Sequence, residues 1–558
     1  MKKFLSLFYK EIAGLHEAAY VLAIFAVLSQ LLALVRDRIL AATFGTTHVL
    51  DTYYAAFAIP DFVFATVASL VSLSVLVPFL AERLEHSRDE ARAFINHVFS
   101  FFSLLIVGTS VITWFIIPII APKVFAGIPN SETLITLSRI LLVSPILLGI
   151  SNFIASITQV GKRFLVYALS PVVYNVGIII GAVYLYPLWG ISGLAWGVAL
   201  GAFLHLFIQA PFVWKSGLFK PWPFSFDWPI IRKIFFISIP RTLTLGMTQI
   251  TILVLVAIAS HMQEGSVTVF NFSKNLQAVP LSIIGVSYSL AAFPTLAQFV
   301  SRNEWKNFTD HMIVGVRHII FWLIPISVLF IVLRAQIVRT IYGAGQFDWN
   351  ATRLTAAALA IFSISVVAQS LVLLFVRGYY AKGDTKKSLY AGLTTGVLSI
   401  GLSFGFAYLF AHASLFRSFV ESLLRVNDIA GTEVLALALG FSCAQIVNLV
   451  LLWVWFSREH SGFSATIWRT LFQSFSASVI AGFVAYLGLN LFDEFFNLNT
   501  LLGIFLQGLS AGLLGIIALI GVLYALKSEE LSETYETLHK KFWQVRPIVP
   551  DATPKDIS

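Results

Sequence analysis

The chain has 558 residues, of which 58% are hydrophobic and 12% charged, and it carries a formal net charge of +9. Soluble domains carry about 25% charged residues, so this composition excludes a string of water-soluble domains, each coated by its own charged surface. The basic residues sit in short loops between apolar runs rather than along one polar face, which argues against a nucleic-acid partner.

The apolar runs reach roughly 20 residues or more, enough to cross about 30 Å of hydrocarbon at ~1.5 Å per residue. Hydropathy places spans near 17–43, 52–80, 94–120, 133–158, 164–186 and 190–214. A second group falls near 233–260, 267–299, 312–336, 353–378, 387–411 and 433–456, and two more near 467–492 and 501–526. The first reads as a retained helix, because Lys2 and Lys3 are not followed by a short apolar core and a small-residue cleavage site.

Loop charges test this map. The odd-numbered connections 44–51, 187–189, 261–266 and 493–500 have no Lys or Arg, and 121–132 has only Lys123. The even-numbered ones hold Arg83, Arg88 and Arg92; Lys162 and Arg163; Lys215, Lys220, Arg232 and Lys233; Arg302 and Lys306; Lys382, Lys386 and Lys387; and Arg458. Both termini are basic, with Lys2, Lys3 and Lys10 at one and Lys527, Lys540, Lys541 and Arg546 at the other. The alternation predicts an all-α integral membrane protein of about fourteen transmembrane helices with both ends cytoplasmic.

The segment 215–232, rich in Trp, Phe and Lys, reads as an interfacial linker on the cytoplasmic face. It divides an N-terminal six-helix lobe, 1–214, from a second, 233–456, leaving two C-terminal helices in 457–526 and a cytoplasmic tail in 527–558. The tail begins as an amphipathic helix and ends in a polar, Pro-containing stretch. A short echo supports two lobes: Val77-Pro78-Phe79-Leu80-Ala81-Glu82 closes span two and Phe293-Pro294-Thr295-Leu296-Ala297-Gln298 closes span eight. Repeated lobes with a substrate path between them are a transporter habit.

Charges within spans are costly, about 2.5–3.5 kcal/mol each on insertion scales, so each needs a partner or water. Span one carries Arg36, Asp37 and Arg38; Asp51 opens span two; Asp61 follows Pro60 about 15 Å deeper. Span eight presents Asn271, Lys274 and Asn275 about one turn apart, and span four adds Arg139. Arg36, Arg38, Asp51, Lys274 and Arg139 all fall in the predicted outer half. Their cationic excess predicts a hydrated cavity suited to an anionic group such as phosphate. The plainer alternative makes Arg36–Asp51 and Arg38–Asp61 structural ion pairs.

His205 and His318 read as packing or interfacial histidines, and Tyr342-Gly343-Ala344-Gly345-Gln346-Phe347 as an external turn. The single Cys443 lies in an apolar run and has no internal partner. No metal-ligand spacing, nucleophile elbow or Walker sequence occurs, so no catalytic residue, cofactor or metal is expected.

Several motifs resemble the MurJ/MviN family of lipid II flippases, within the superfamily of multidrug and oligosaccharide-lipid exporters. They are Val35-Arg36-Asp37, Phe44-Gly45, the run Asp51-Thr52-Tyr53-Tyr54-Ala55-Ala56-Phe57-Ala58-Ile59-Pro60, and Val77 to Glu82. Ala121-Pro122 with Phe125-Ala126-Gly127, Ser170-Pro171 with Asn175, Tyr342-Gly343 with Gly345 and Phe347, and Gly378-Tyr379-Tyr380-Ala381 with Asp384-Thr385-Lys386 continue the order.

The resemblance implies a multi-pass protein of the bacterial cytoplasmic membrane that works by alternating access on a polyprenyl-pyrophosphate lipid. It also implies a groove for the polyprenyl tail at the last two spans, and cell-wall synthesis or division proteins as candidate partners. It carries over Arg36 to the pyrophosphate cavity and matches Asp51 to the family's acidic position before span two; the charges within the spans add Arg38, Lys274, Asn275 and Arg139 as cavity candidates, and make Asp37, Asp51 and Asp61 candidates for ion pairing or gating. The chain departs from the family at Gln30, at Phe64-Ala65 and at Asn275, where the family has basic residues. A flippase for another polyprenyl-linked saccharide therefore stays open beside lipid II. A drug antiporter, a membrane glycosyltransferase or ligase, and a division scaffold are the remaining alternatives.

Overall fold

The computed structural model describes residues 15–70, 73–161, 163–219, 225–460 and 462–542. Lys2, Lys3, Lys10, Lys162, Lys220 and Arg546, and the Pro-containing end of the tail, lie outside the described residues. The described chain is helical throughout its regular structure. Fourteen long helices follow one another: α1 (Leu15–Phe44), α2 (His48–Leu70), α3 (Arg88–Val124), α4 (Ser131–Val160), α5 (Phe164–Trp189), α6 (Ile191–Ser216) and α7 (Trp228–Ser260). Then come α8 (Ser266–Ser301), α9 (Trp305–Val332), α10 (Trp349–Ala381), α11 (Thr385–His412), α12 (Thr432–Glu459), α13 (Phe463–Phe492) and α14 (Leu501–Ala525). Thirteen of these contain a stretch long and apolar enough to cross a membrane, and α1, with its 30 residues, makes up the expected fourteen.

Local chemistry sets where the helices begin. Ser87, Asn130, Asp227, Asp348, Asp384 and Thr500 each accept a hydrogen bond from a first-turn amide of α3, α4, α7, α10, α11 and α14, satisfying donors that a helix leaves open. Tryptophans 189, 214, 228, 305, 349 and 468 lie exposed near helix ends, the level at which a bilayer's headgroups accommodate an amphipathic ring.

Two predicted spans are longer than the helices found. The segment 52–80 is shared between α2 and a helix at Leu73–His86, and α9 stops at Val332, with a separate helix at Arg334–Tyr342. The connection after the eleventh span holds a helix at Ser414–Leu424, and the tail begins with Glu529–Phe542. That tail helix is pinned: Glu530 accepts from Arg317 Nε (2.7 Å) and Thr470 Oγ1 (2.5 Å), and Glu529 from Arg317 Nη2 (2.6 Å).

The arrangement of the core matters most for function. One large cluster crosses between the first six helices and the next six at the end opposite the basic loops, here the far end. It joins Leu40, Phe44, Leu50 and Tyr53 with Leu255, Val267, Phe272, Tyr342 and Leu435. At the basic end the packing is separate. Phe94, Phe102, Phe153, Val213 and the start of α7 form one cluster, while Phe308, Leu374, Phe375, Phe456 and Phe463 form another. The two sets share one core at the far end; at the basic end they still meet along α7, whose start packs on the first set, with Ser238 Oγ donating to the Leu70 carbonyl (2.8 Å) and Ser69 Oγ to Thr242 Oγ1 (2.9 Å).

Within the first set, α5 and α6 cross at backbone contact. A Cβ built on Gly197 would lie 2.3 Å from Gly181 Cα, so neither position has room for a side chain. Gly197→Leu is expected to lower the thermal midpoint of the purified protein sharply or to abolish folded expression. Gly401→Leu, at an open position on α11, should leave the midpoint within a few degrees; fluorescence-detected size-exclusion with a heating series compares the two.

Candidate functional site

Below the fused end, α1, α2, α5, α7 and α8 enclose a chamber of about 260 Å³. At ~30 Å³ per molecule in the liquid, that is room for roughly nine waters. Its charged lining is Arg36, Asp61 and Lys274; Tyr53, Tyr54, Tyr174, Gln249, Asn271 and Asn275 supply most of the remaining polar atoms.

Arg36 is held from three directions. Its Nε and Nη2 reach Asp37 Oδ1 at 2.8 and 2.7 Å, and its Nη1 donates to Asn175 Oδ1 at 3.0 Å. Asp37, 1% exposed, uses its other oxygen to accept from Asn275 Nδ2 at 3.0 Å, across to the second set of helices. Asn175 in turn donates to the Pro171 carbonyl at 3.0 Å. A guanidinium fixed by a carboxylate and an amide is pre-oriented, with little entropy left to lose on meeting a phosphate.

Asp61 and Lys274 are different. Both line the chamber, and neither makes a hydrogen bond or an ion pair among the described residues. The Tyr54 hydroxyl beside them is buried without a hydrogen-bond partner. These groups are uncommitted, and a chamber whose polar groups await partners is suited to a polar guest.

Two other sequence candidates hold the far end shut instead of lining the chamber. Asp51, 4% exposed, accepts from the amides of Gly265 (2.6 Å) and Thr268 (2.8 Å) and from Thr268 Oγ1 (2.7 Å). Gly265 is the N-cap of α8, with φ +87°, and has no side chain to cap with; Asp51 from the first set performs that role. Arg38 Nη1 donates to the carbonyls of Thr340 (2.5 Å) and Ile341 (3.1 Å), closing the C-terminus of Arg334–Tyr342. His48 and Glu264 add an exposed contact at 3.3 Å, and Gln346 N donates to Ala42 O at 2.9 Å.

Arg139 is elsewhere. It lies 3.9 Å over the Trp114 ring and donates to the Trp114 carbonyl at 3.2 Å. That carbonyl is the one Pro118, lacking an N–H, leaves open four residues on. So the expected pairs Arg36–Asp51 and Arg38–Asp61 do not form, and Arg38 and Arg139 are outside the chamber lining. The cationic excess narrows to Arg36 and Lys274 against Asp61, with Asp37 behind. Sequence reading passed over Tyr54, Tyr174 and Gln249; a lone Gln inside an apolar run was the available signal.

A family model described as lipid II flippase MurJ matches residues 40–418, most of the chain. The chain belongs to the MurJ family. Lipid II flippase MurJ of Burkholderia cenocepacia is 23% identical over 404 residues, 70% of this chain and 78% of that one. A probable lipid II flippase MurJ of Rickettsia prowazekii is 24% identical over 452 residues, 80% and 84% of the two chains. Among solved structures, a lipid II flippase MurJ in an inward closed conformation superposes with a TM-score of 0.71 at 23% identity, covering 93% of this chain and 99% of that one. A MATE-family multidrug transporter in an inward-facing conformation gives 0.62 at 18% identity, over 78% and 96%. This MurJ-family chain thus shares its fold with both of these solved transporters.

Asp51→Ala removes the acceptor for two amides and a hydroxyl at the seam, a loss of about 2 kcal/mol or more in the closed arrangement. Spin labels at the exposed pair His48→Cys and Glu264→Cys should report one short distance in the parent chain and a second, longer population with Asp51→Ala. Asp51→Asn, which keeps one acceptor oxygen, should fall between.

Proposed function

We propose that this protein is a flippase that moves the undecaprenyl-pyrophosphate-linked peptidoglycan precursor lipid II across the cytoplasmic membrane by alternating access. The observation that carries this reading is the core shared by the two sets of helices at the far end, over a chamber whose Lys274 and Asp61 make no hydrogen bond among the described residues. The lysine- and arginine-rich loops put the separated end in the cytoplasm and the fused end outside.

In this state a diphosphate would enter from the cytoplasmic side and meet Arg36, Lys274, Asn275 and the Tyr54 hydroxyl. The chamber of about 260 Å³ accommodates the diphosphate and its first neighbours, so the sugar and peptide extend toward the basic end. The lipid chain stays in hydrocarbon. A second groove of about 240 Å³ would seat one stretch of it, lined by apolar side chains such as Phe330 of α9 and Ile516 of α14, with Leu333, Gly508 and Gly512 beside them.

Binding of the diphosphate would draw Lys274 and Arg36 together and set them against Asp61 and Asp37, weakening the Asn275–Asp37 link between the two sets. Opening the fused end then requires Asp51 to leave the α8 N-terminus and Arg38 to leave the Thr340 and Ile341 carbonyls. Cell-wall synthesis and division proteins remain the partners to which such a flippase would deliver its cargo.

In proteoliposomes with lipid II, Lys274→Ala is expected to slow headgroup translocation at least tenfold with little change in thermal midpoint, because Lys274 makes no structural bond. Lys274→Arg should retain activity, whereas Arg36→Lys, unable to serve Asp37 and Asn175 together, should not. Translocation of a sugar-repeat polyprenyl lipid at the rate of lipid II, or faster, would assign the protein to the other branch of polyprenyl-lipid transport.

A further inference from the structure

The far end of the molecule holds a second group of arginines, away from the chamber. Arg353 is satisfied: its Nη1 and Nη2 clasp both oxygens of Asp428 at 2.7 and 2.6 Å, and the guanidinium holds that carboxyl below its ordinary range. Arg334 and Arg425 beside it have no carboxylate among the described residues. Arg334 donates only to the backbone carbonyls of Ile331 (3.3 Å) and Leu424 (3.2 Å), and Arg425 hydrogen-bonds the Tyr486 phenol of α13. Burial, and after it the nearby charge of Arg425, push Arg334 below its usual range.

The backbone is also strained there. Arg425 sits at φ +60°, ψ +49°, the left-handed position after the helix Ser414–Leu424, where glycine or asparagine is the ordinary choice. A non-glycine residue is disfavoured in that conformation, and such strain persists at sites where the side chain is needed.

Two features fix the depth and the neighbourhood. The helix Ser414–Leu424 exposes Leu415, Phe419 and Leu423, four residues apart, the stripe of a helix lying in a membrane interface. Its C-terminal Arg425 is therefore at headgroup level. Leu333, next to Arg334, lines the apolar groove given above to the substrate's chain, while Arg334 itself turns to the Leu424 carbonyl. Two arginines with no carboxylate among the described residues, and a phenol, stand together at headgroup depth. We propose that Arg334 and Arg425 bind the phosphate of a lipid headgroup in the leaflet at the far end. The site is separate from the chamber and does not depend on the transport reading.

Native mass spectrometry of the full chain tests this with two probes, phosphatidylglycerol and a diacylglycerol with no phosphate, leaving out the diphosphate lipids that the chamber would hold. Phosphatidylglycerol should be preferred by about tenfold, the effect of one charge-assisted hydrogen bond. Arg334→Gln and Arg425→Gly should each erase that preference. Arg425→Gly relieves the left-handed strain, so its thermal midpoint should not fall, which separates lost binding from lost folding. Equal retention of the two lipids, or a phosphatidylglycerol preference that survives both substitutions, would overturn the proposal.

Discussion

A charge that cannot reach water inside a bilayer must find a partner in protein, and in this chain the partners of α1 and α2 lie mostly on the other set of helices. Asp37 takes Asn275, Arg38 takes the end of Arg334–Tyr342, and Asp51 takes the start of α8. Each bond crosses the division between the two sets, and all lie toward one end. The apolar packing is continuous across that end and divides into two clusters at the other, where the start of α7 stays with the first set. A seam made of a few polar bonds over a shared apolar core can be exchanged for another arrangement without unfolding either set, which is what bistable closure requires.

The same constraint sorts the charged residues by role. A buried charge with two or three short bonds is already compensated and serves the architecture: Asp51, Arg38 and Arg139 are of this kind. Lys274 and Asp61 have no such bonds, and they stand where the chamber gives them room. Arg36 is intermediate, compensated by Asp37 and Asn175 while still presenting to the chamber. Losing a compensated charge damages the protein chiefly by leaving its partners unsatisfied. An uncompensated one can be lost at little cost to folding, and its effect falls on the guest.

Much of this was legible in the sequence. Apolar run lengths and the alternation of loop charge pointed to about fourteen helices, and depth alone put Arg36 and Lys274 in the same outer half, with Asp61 deeper, before any packing was known. Helix direction and depth could not say which way a side chain turns about its axis. Arg38 and Arg139 occur at the right depth but face a helix terminus and a proline-freed carbonyl. Those acceptors are backbone atoms, so no residue type advertises them. Asp51 was read as a possible partner of Arg36; that its true partner is the bare N-terminus at Gly265 follows only from the turn geometry of a loop more than 200 residues away. Arg334 and Arg425 were invisible as a pair for the same reason.

The central claim is that the chamber is wet, lies between the two sets, and is open to the basic end while sealed at the other. Replacing Cys443 by Ser leaves no native thiol, after which Lys274→Cys places a single reporter in the chamber wall. In sealed vesicles of defined orientation, a membrane-impermeant cationic thiol reagent should modify that cysteine from the side of the basic loops and not from the opposite side. Modification from the opposite side alone, or no modification from either side in a folded protein, would contradict the account.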